Sequence, residues 1–228
     1  MVINRELLGI ALKKQYGLVL TETQVSQIEK FITELLLWNR EVNLTRIVEP
    51  EDVVYKHIVD SLGIHRVLSQ NNILPGKTVK LIDVGTGAGF PGIPIKIVYP
   101  WLEVTLLDSV NKKMVFVEHI IKTLSLTGVK TYTIRAEDAG KQNVHARKYD
   151  IVTARAVAKP CVIVANSINL VKPGGILVVY QTKVEESEQV ELRNQLNRIN
   201  AKLTGIVNND IVTDKETFTR NLVVITKT

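Results

Sequence analysis

The residues in this chain best placed for chemistry lie between Val79 and Gly92, in V-K-L-I-D-V-G-T-G-A-G-F-P-G. Val79, Leu81 and Ile82 form a short apolar run that reads as a buried strand, closed by Asp83. Gly85, Gly87 and Gly89 follow at alternate positions, and a backbone without Cβ atoms can turn tightly against a ligand. Ile93, Ile95, Ile97 and Val98 continue as a short helix stopped by Pro100. Strand, glycine loop and helix together make the phosphate- or nucleoside-binding corner of a doubly wound sheet. A glycine-rich turn that binds nothing has the same local pattern.

Gly87, Gly89 and Gly92 satisfy G-x-G-x-x-G, so a dinucleotide must be weighed. Counted from Gly85, the glycine nearest the strand, the third glycine position falls on Phe90 instead. Asp83 also sets a carboxylate where a pyrophosphate needs positive field. A cationic ligand suits that acid better. S-adenosylmethionine carries a sulfonium and an ammonium and no phosphate, and it is the cofactor expected here.

Further along, Val104 to Leu107 reads as a second strand ending at Asp108. Asp108 lies about where a Rossmann-type domain places the acid that takes hydrogen bonds from ribose hydroxyls. Lys112-Lys113 open the next helix where the dipole prefers acids, which suggests an anion nearby. A third strand, Val129 to Ile134, leads into Arg135-Ala136-Glu137-Asp138, a loop expected to cross the ligand edge beside the adenine. A fourth, Tyr149 to Ala156, delivers Arg155 to the carboxyl edge, where ligands sit in open parallel sheets. After a turn at Lys172-Pro173-Gly174-Gly175, a fifth strand, Ile176 to Tyr180, carries Lys183 just beyond its end. Lys202 to Val207 and Asn221 to Lys227 are expected as two closing strands with a hairpin-like finish. No metal site is expected: the four histidines are scattered, and Cys161 has no partner at ligand spacing. No G-x-x-x-x-G-K-[ST] loop for ATP hydrolysis is present.

The elements that must hold these residues begin with helices. Leu7, Leu8, Ala11 and Leu12 recur at helical spacing, and Thr21 to Gln24 has the form of a capping box. A longer helix follows with Val25, Ile28, Ile32, Leu35 and Leu36 on one face, and Glu51 to Leu68 reads as another, in up to two pieces. A linker at Asn71 to Gly76 divides the chain into a helical extension, residues 1–76, and a Rossmann-like domain, residues 77–228. Residues 1–70 hold eight Lys or Arg against nine Asp or Glu, and residues 71–228 hold 21 against 14. The whole excess of the net +6 therefore sits with the glycine loop, as a polyanionic substrate would favour. One cysteine rules out an internal disulfide, and no apolar run approaches membrane-spanning length. A cytoplasmic protein, monomeric and without membrane contact, is expected.

Read together, W-N-R-E-V-N-L-T (38–45), H-I-V-D-S-L (57–62), D-V-G-T-G-A-G-F-P-G-I-P (83–94), L-L-D-S (106–109), R-A-E (135–137) and T-A-R-A (153–156) resemble one family in order and spacing. It is the bacterial small-subunit ribosomal RNA guanine methyltransferase family, also called glucose-inhibited division protein B. The resemblance covers nearly the whole chain. It implies a class I S-adenosylmethionine-dependent methyltransferase, with a seven-stranded, mostly parallel sheet and a small N-terminal helical extension. It further implies methylation of nitrogen-7 of a guanine in the decoding region of 16S ribosomal RNA, within RNA or the small subunit. By the same resemblance Gly85, Phe90, Ala136, Glu137 and Arg155 match cofactor positions, joining Asp83, Gly87, Gly89 and Asp108 from the residues themselves. His57, Asp60, Ser61, Lys183 and Arg220 match positions for substrate contact or for holding the pocket. Arg155 and Lys183 are the only candidates for a catalytic role. One departure stands out: Lys183 is followed by Val184 where the family usually has glycine.

Nitrogen-7 of guanine carries an in-plane lone pair and no proton, so its methylation is an in-line displacement that needs alignment more than a base. Two other readings share the same cofactor site. A methyltransferase of a small molecule or protein would need no basic rim, and a ribosome assembly factor would bind RNA without turnover.

Overall fold

The computed structural model describes residues 3–155 and 158–228. Helix α1, Arg5–Tyr16, starts where the Asn4 side chain accepts from the Leu7 N–H and stops at Gly17 in the left-handed region. Helix α2, Glu22–Val42, opens with the capping box expected of Thr21 and Gln24 and buries Ile28, Phe31, Ile32 and Leu35. The segment expected as one or two helices is three pieces: α3, Pro50–Asp52, a π-helical stretch over Val53–Val59, and α4, Ile64–Gln70. Six of the seven residues in the π-helical stretch are buried, among them Val53, Val54, His57 and Ile58. Its wider turn turns inward more side chains than an α-helical face can, which helical periodicity does not signal.

The sheet follows. Its elements are β1 (Lys80–Val84), α5 (Gly92–Val98), β2 (Glu103–Asp108), α6 (Asn111–Thr123), β3 (Val129–Thr133), α7 (Ala136–Ala139) and β4 (Tyr149–Arg155). Then come α8 (Pro160–Ser167), β5 (Val171–Gln181), α9 (Glu186–Leu196), β6 (Ala201–Asn208), β7 (Ile211–Val212), β8 (Thr217–Phe218) and β9 (Asn221–Lys227). Seven strands lie in the order β3-β2-β1-β4-β5-β9-β6, the first five parallel and β9 antiparallel to both its neighbours. The order reverses between β1 and β4, the position at which open α/β sheets bind ligands.

Two details differ from expectation. Lys172 to Gly175 is not a turn but the irregular start of β5, where the strand bulges opposite Asp150 between the Tyr149–Val171 and Ile151–Ile176 pairs. A Cβ on Gly175 would stand 2.9 Å from the Asp150 carbonyl oxygen, so the glycine lets the two strands close there. The chain end is also more than a hairpin. Strands β6 and β9 pair antiparallel, but the two-residue strands β7 and β8 form a separate hairpin between them. Strands that short carry no periodic signal.

Each face of the sheet has its own core. Leu81, Leu106, Ile151 and Val178 share a core with α5, α6, α1, α2, the π-helical stretch and α4. Ile82, Leu107, Val152 and Val179 pack against α8 and α9 on the other side. The expected boundary at 76/77 therefore falls between elements that share one continuous core. Phe31 of α2 lies 5.0 Å from the Phe90 ring of the glycine loop and 6.4 Å from Phe116 of α6. Tyr16 and Tyr180 donate to the carbonyls of Val59 and Ser61, tying the π-helical stretch to α1 and β5. No helix among the described residues is long and apolar enough to cross a membrane.

Because Phe31 is completely buried between the extension and the glycine loop, Phe31→Ala should cost about 3–5 kcal/mol of stability. Urea denaturation checks this. A loss under about 1 kcal/mol would mean that the helices are an appendage rather than part of the core.

Candidate active site

The glycine loop is braced by two carboxylates from below. Asp83 is fully buried at the end of β1, where it accepts hydrogen bonds from the Gly92 N–H at 3.0 Å and the Thr153 hydroxyl at 2.8 Å. Burial pushes its carboxyl up to about 6, against the pull of these bonds and of the Arg155 charge. A Cβ on Gly92 would come within 2.2 Å of Leu106 Cδ2 and 3.0 Å of Asp83 Oδ2, so only glycine lets α5 start against the acid. This corrects the direct cofactor contact expected of Asp83: its oxygens are committed inside the protein, and it shapes the loop from underneath.

Asp108 has a different position. It lines a cavity of about 330 Å³ at the carboxyl ends of β1, β2 and β4. Its Oδ2 accepts from the Gly87 N–H and its Oδ1 from the Val110 N–H, both at 2.9 Å. A carboxylate offers about four lone-pair sites, so each oxygen retains capacity for a ligand hydroxyl. Gly87 itself has φ +59, and a Cβ there would meet nothing closer than 4.0 Å, leaving the turn open on its outer side.

The cavity gathers Gly85, Asp108, Ala136, Glu137 and Arg155 from four separate connections of the sheet. Gly87, Gly89 and Phe90 do not line it. Gly89, at φ +93, would place a Cβ 2.5 Å from Ile93 Cγ1, and Phe90 is turned into the core. Sequence reasoning missed the far wall, where α8 contributes Val162, Ile163, Asn166 and Ser167. The Ser167 hydroxyl is buried there without a hydrogen-bond partner. Nothing in the local pattern of α8 marks it, because its place comes from the packing of α8 against β5. Lys113, whose odd place in the first turn of α6 was a signal, does border the cavity.

Behind Arg155 the substrate candidates form one network rather than a surface. The guanidinium Nη1 donates to Asp60 Oδ2 at 3.0 Å and to the Lys56 carbonyl at 3.2 Å, and Nη2 lies 3.3 Å from His57 Nδ1. Its charge also rests 5.2 Å from the centre of the Phe90 ring. His57 stacks on that ring almost parallel, 4.4 Å between centroids. Burial, then the Arg155 charge, hold His57 down at about 3, so it is neutral. Its Nε2 meets the Thr45 hydroxyl at 2.8 Å, and Asn39 fixes Thr45 through both backbone groups. The polar Trp38–Thr45 segment thus exists to orient His57.

Ser61 is wholly buried and donates to the His57 carbonyl one helical turn back, so of the two roles expected for it the geometry is that of holding the pocket. His57 is likewise buried and committed, while Asp60 is buried and bonds Arg155 through Oδ2 but leaves Oδ1 without a hydrogen-bond partner. Arg220 joins them, with Nε 3.4 Å from Asp60 Oδ1. Lys183 is not brought into the group: it stands exposed and pairs with Glu185 at 2.8 Å. Ala156, the last residue of T-A-R-A, lies outside the described residues.

Comparison with known proteins adds to this geometry. Ribosomal protein L11 methylase from Lactobacillus delbrueckii subsp. bulgaricus superposes with a TM-score of 0.51 at 14% identity, covering 74% of this chain and 76% of that one. M. jannaschii TYW2 in complex with AdoMet does so with a TM-score of 0.53 at 13% identity, covering 73% and 77%. At such identities these neighbours establish the fold, the class I methyltransferase sheet. In sequence, the chain is 37% identical over 203 residues to ribosomal RNA small subunit methyltransferase G of Desulfitobacterium hafniense, covering 89% of this chain and 82% of the relative. It is 39% identical over 189 residues to the protein of that name from Streptococcus pneumoniae, covering 83% and 78%. A family model described as rRNA small subunit methyltransferase G matches residues 24–215. On a sheet of the methyltransferase order, with its cavity at the switch point, this chain belongs to the rRNA small subunit methyltransferase G family.

Proposed function

We propose that this protein transfers a methyl group from S-adenosylmethionine to nitrogen-7 of a guanine in small-subunit (16S) ribosomal RNA. The observation that carries the reading is the convergence of Gly85, Asp108, Ala136, Glu137 and Arg155 on one cavity at the sheet's switch point in a chain of this family. The residues fit the cofactor. The cavity has the size of a small-molecule site, Asp108 has acceptor capacity for ribose hydroxyls, and Ser167 supplies a buried hydroxyl without a partner. Ile134, Val162 and Ile163 offer apolar walls to a flat base. When bound, S-adenosylmethionine supplies an electrophilic methyl group on a sulfonium.

The chain's own part is alignment. Nitrogen-7 has no proton to lose, and the groups that might act as bases are tied up. His57 is held between Thr45 and Arg155, and Asp60 between Arg155 and Arg220. Arg155 would repel a base that becomes cationic on methylation, but Asp60 compensates its charge at 3.0 Å. A neutral His57 adds no second positive charge. Arg155 is therefore a positioning group at the cavity edge, and Lys183 belongs to the RNA-contacting rim. A guanine reached through the deep, narrow groove of A-form RNA would be inaccessible, so the target base is unpaired or opened. The cavity is completed within one chain, in keeping with a monomer, and the lone, partly buried thiol of Cys161 suits the cytoplasm. Incubation with tritiated S-adenosylmethionine and small ribosomal subunits, followed by nucleoside analysis, should yield labelled 7-methylguanosine. Label in another nucleoside, or none, refutes the reading.

Asp108→Ala should weaken S-adenosylmethionine binding by about 10- to 150-fold, the loss of a charge-assisted hydrogen bond worth about 1.5–3 kcal/mol. Calorimetry on the folded variant decides; a Kd within twofold of wild type removes Asp108 from the ribose. Lys183→Ala should raise the KM for subunits and flatten its salt dependence by roughly one phosphate contact, leaving the cofactor Kd unchanged. An unaltered salt slope would place the rim elsewhere.

His57 also makes stability depend on pH. In the unfolded chain it takes a proton near its ordinary 6.5, whereas in the folded protein it stays neutral down to about 3. Stability is therefore lost as pH falls below 6.5, by about 2 kcal/mol at pH 5 from this group. Asp83, raised to about 6, acts in the opposite sense as pH falls from 6 toward 3.8. Comparing the pH 7 to pH 5 change in wild type and His57→Gln isolates the histidine, and the variant should lose about 2 kcal/mol less. Equal losses would show that His57 is protonated in the fold.

A further inference from the structure

Strands β6 and β9 part after the Asn208–Asn221 pair, and the chain between them, residues 209–220, leaves the sheet to form the β7–β8 hairpin. The hairpin lies on α3 and the π-helical stretch. Lys56 Nζ stands 4.6 Å from the centre of the Phe218 ring, Lys215 pairs with Glu51, and Ile211 is buried in the shared core. Both of its ends reach the Arg155 network. Phe218 touches the residue whose carbonyl accepts from Arg155, and Arg220 stands over Asp60.

Arg220 is held by its backbone. Its carbonyl accepts from the Asn209 N–H at 2.8 Å, and its N–H donates to Asp210 Oδ1 at 2.9 Å. Two consecutive residues thus close on one that follows ten positions later. Each is anchored in turn. Asp210 Oδ2 accepts from the Asn208 side chain at 2.9 Å, and the Asp210 carbonyl accepts from Gln15 of α1. Asn209 is fully buried, its Oδ1 2.9 Å from the Tyr16 hydroxyl and 3.3 Å from Arg66 Nε. A Cβ on Gly63 would stand 2.4 Å from Asn209 Nδ2, so the glycine admits the amide.

The consequence falls on Arg155. A carboxylate with a free oxygen draws an arginine into a two-pronged pair, with two parallel N–H···O bonds. Asp60 is buried, Arg155 holds its Oδ2, and Oδ1 has no hydrogen-bond partner, with Arg220 Nε 3.4 Å away. While Arg220 occupies that side, Arg155 has one oxygen only. Its Nη2 then stays beside His57, and its guanidinium stays at the edge of the cofactor cavity. With Arg220 displaced, Arg155 would turn onto both oxygens and withdraw. We propose that Asp210 and Asn209 are positioning residues of the cofactor site: by clamping the Arg220 backbone they keep Arg220 on Asp60 and Arg155 at the cavity. The clamp matters only where S-adenosylmethionine occupies that cavity, so its role rests on the function proposed above.

The test is calorimetric titration of the full chain with S-adenosylmethionine. Asn209 lies in the core, so the partly exposed Asp210 carries the experiment, and urea midpoints confirm that each variant is folded. Asp210→Ala and Arg220→Ala should each weaken binding about fivefold. The variant with both changes should stay within about twofold of Arg220→Ala, because one residue acts through the other. A general loosening of the fold would instead multiply with Arg220→Ala, to about 25-fold. Asp210→Asn keeps the accepting oxygen and should restore binding to within about twofold of wild type. A Kd near that of wild type in either single variant overturns the clamp. So does a multiplied effect in the double variant, or Asp210→Asn as weak as Asp210→Ala. If wild type itself binds no S-adenosylmethionine, the proposed function fails and the clamp's role falls with it. If wild type binds the cofactor but methylates no subunits, only the RNA reading fails, and the titration still decides the clamp.

Discussion

The structure depends on one buried charge. Arg155, at the last position of β4, is largely enclosed, and Asp60 answers it at 3.0 Å from the helical extension. Desolvating such a pair offsets most of its Coulomb attraction, so it is poor as a source of stability, whereas removing one partner leaves an uncompensated buried charge. Its value is in what it orients. The Lys56 carbonyl, His57 and the Phe90 ring surround the same guanidinium, so the extension, the glycine loop and the central strand can meet in only one arrangement. The ring of Phe90, held between His57 and Phe31, transmits that arrangement to the glycine turn.

The two acids of the cofactor corner divide a task that the sequence alone assigns to both. Asp83 is spent on the backbone, holding the start of α5 and the Thr153 hydroxyl. Asp108 holds the Gly87 and Val110 N–H groups and still borders the cavity. A loop fixed by carboxylates is preorganised before a ligand arrives, which lowers the ordering cost of binding. For a displacement at an atom with no proton to remove, such alignment is the contribution a protein can make.

Charge placement follows the same division. Inside, Arg155 and Arg220 are balanced by Asp60, and His57 is neutral. Outside, the basic excess of residues 71–228 lies on exposed lysines such as Lys130, Lys148 and Lys183. A cationic product is tolerated at the centre while a polyanion is attracted at the surface.

Much was legible in the chain itself. Apolar periods, the Thr21–Gln24 box and glycine spacing each act within a few residues, and they located the seven strands of the main sheet, the main helices and the cofactor corner without tertiary information. The acid at Asp108 and the arginine at Arg155 were found because strand ends in a parallel sheet point at a known edge. What only the tertiary structure decided depends on contacts across the chain. Ser167 lines the cavity because α8 packs against β5. Ser61 is structural because β5 closes over it, with Tyr180 bonded to its carbonyl, and its hydroxyl turns back to His57. Asp83 is withdrawn from the ligand because Gly92, nine residues on, folds over it. Local pattern reports which residues are buried and which elements form; which buried polar group faces a ligand, and which faces another part of the chain, is set by packing between segments distant in sequence.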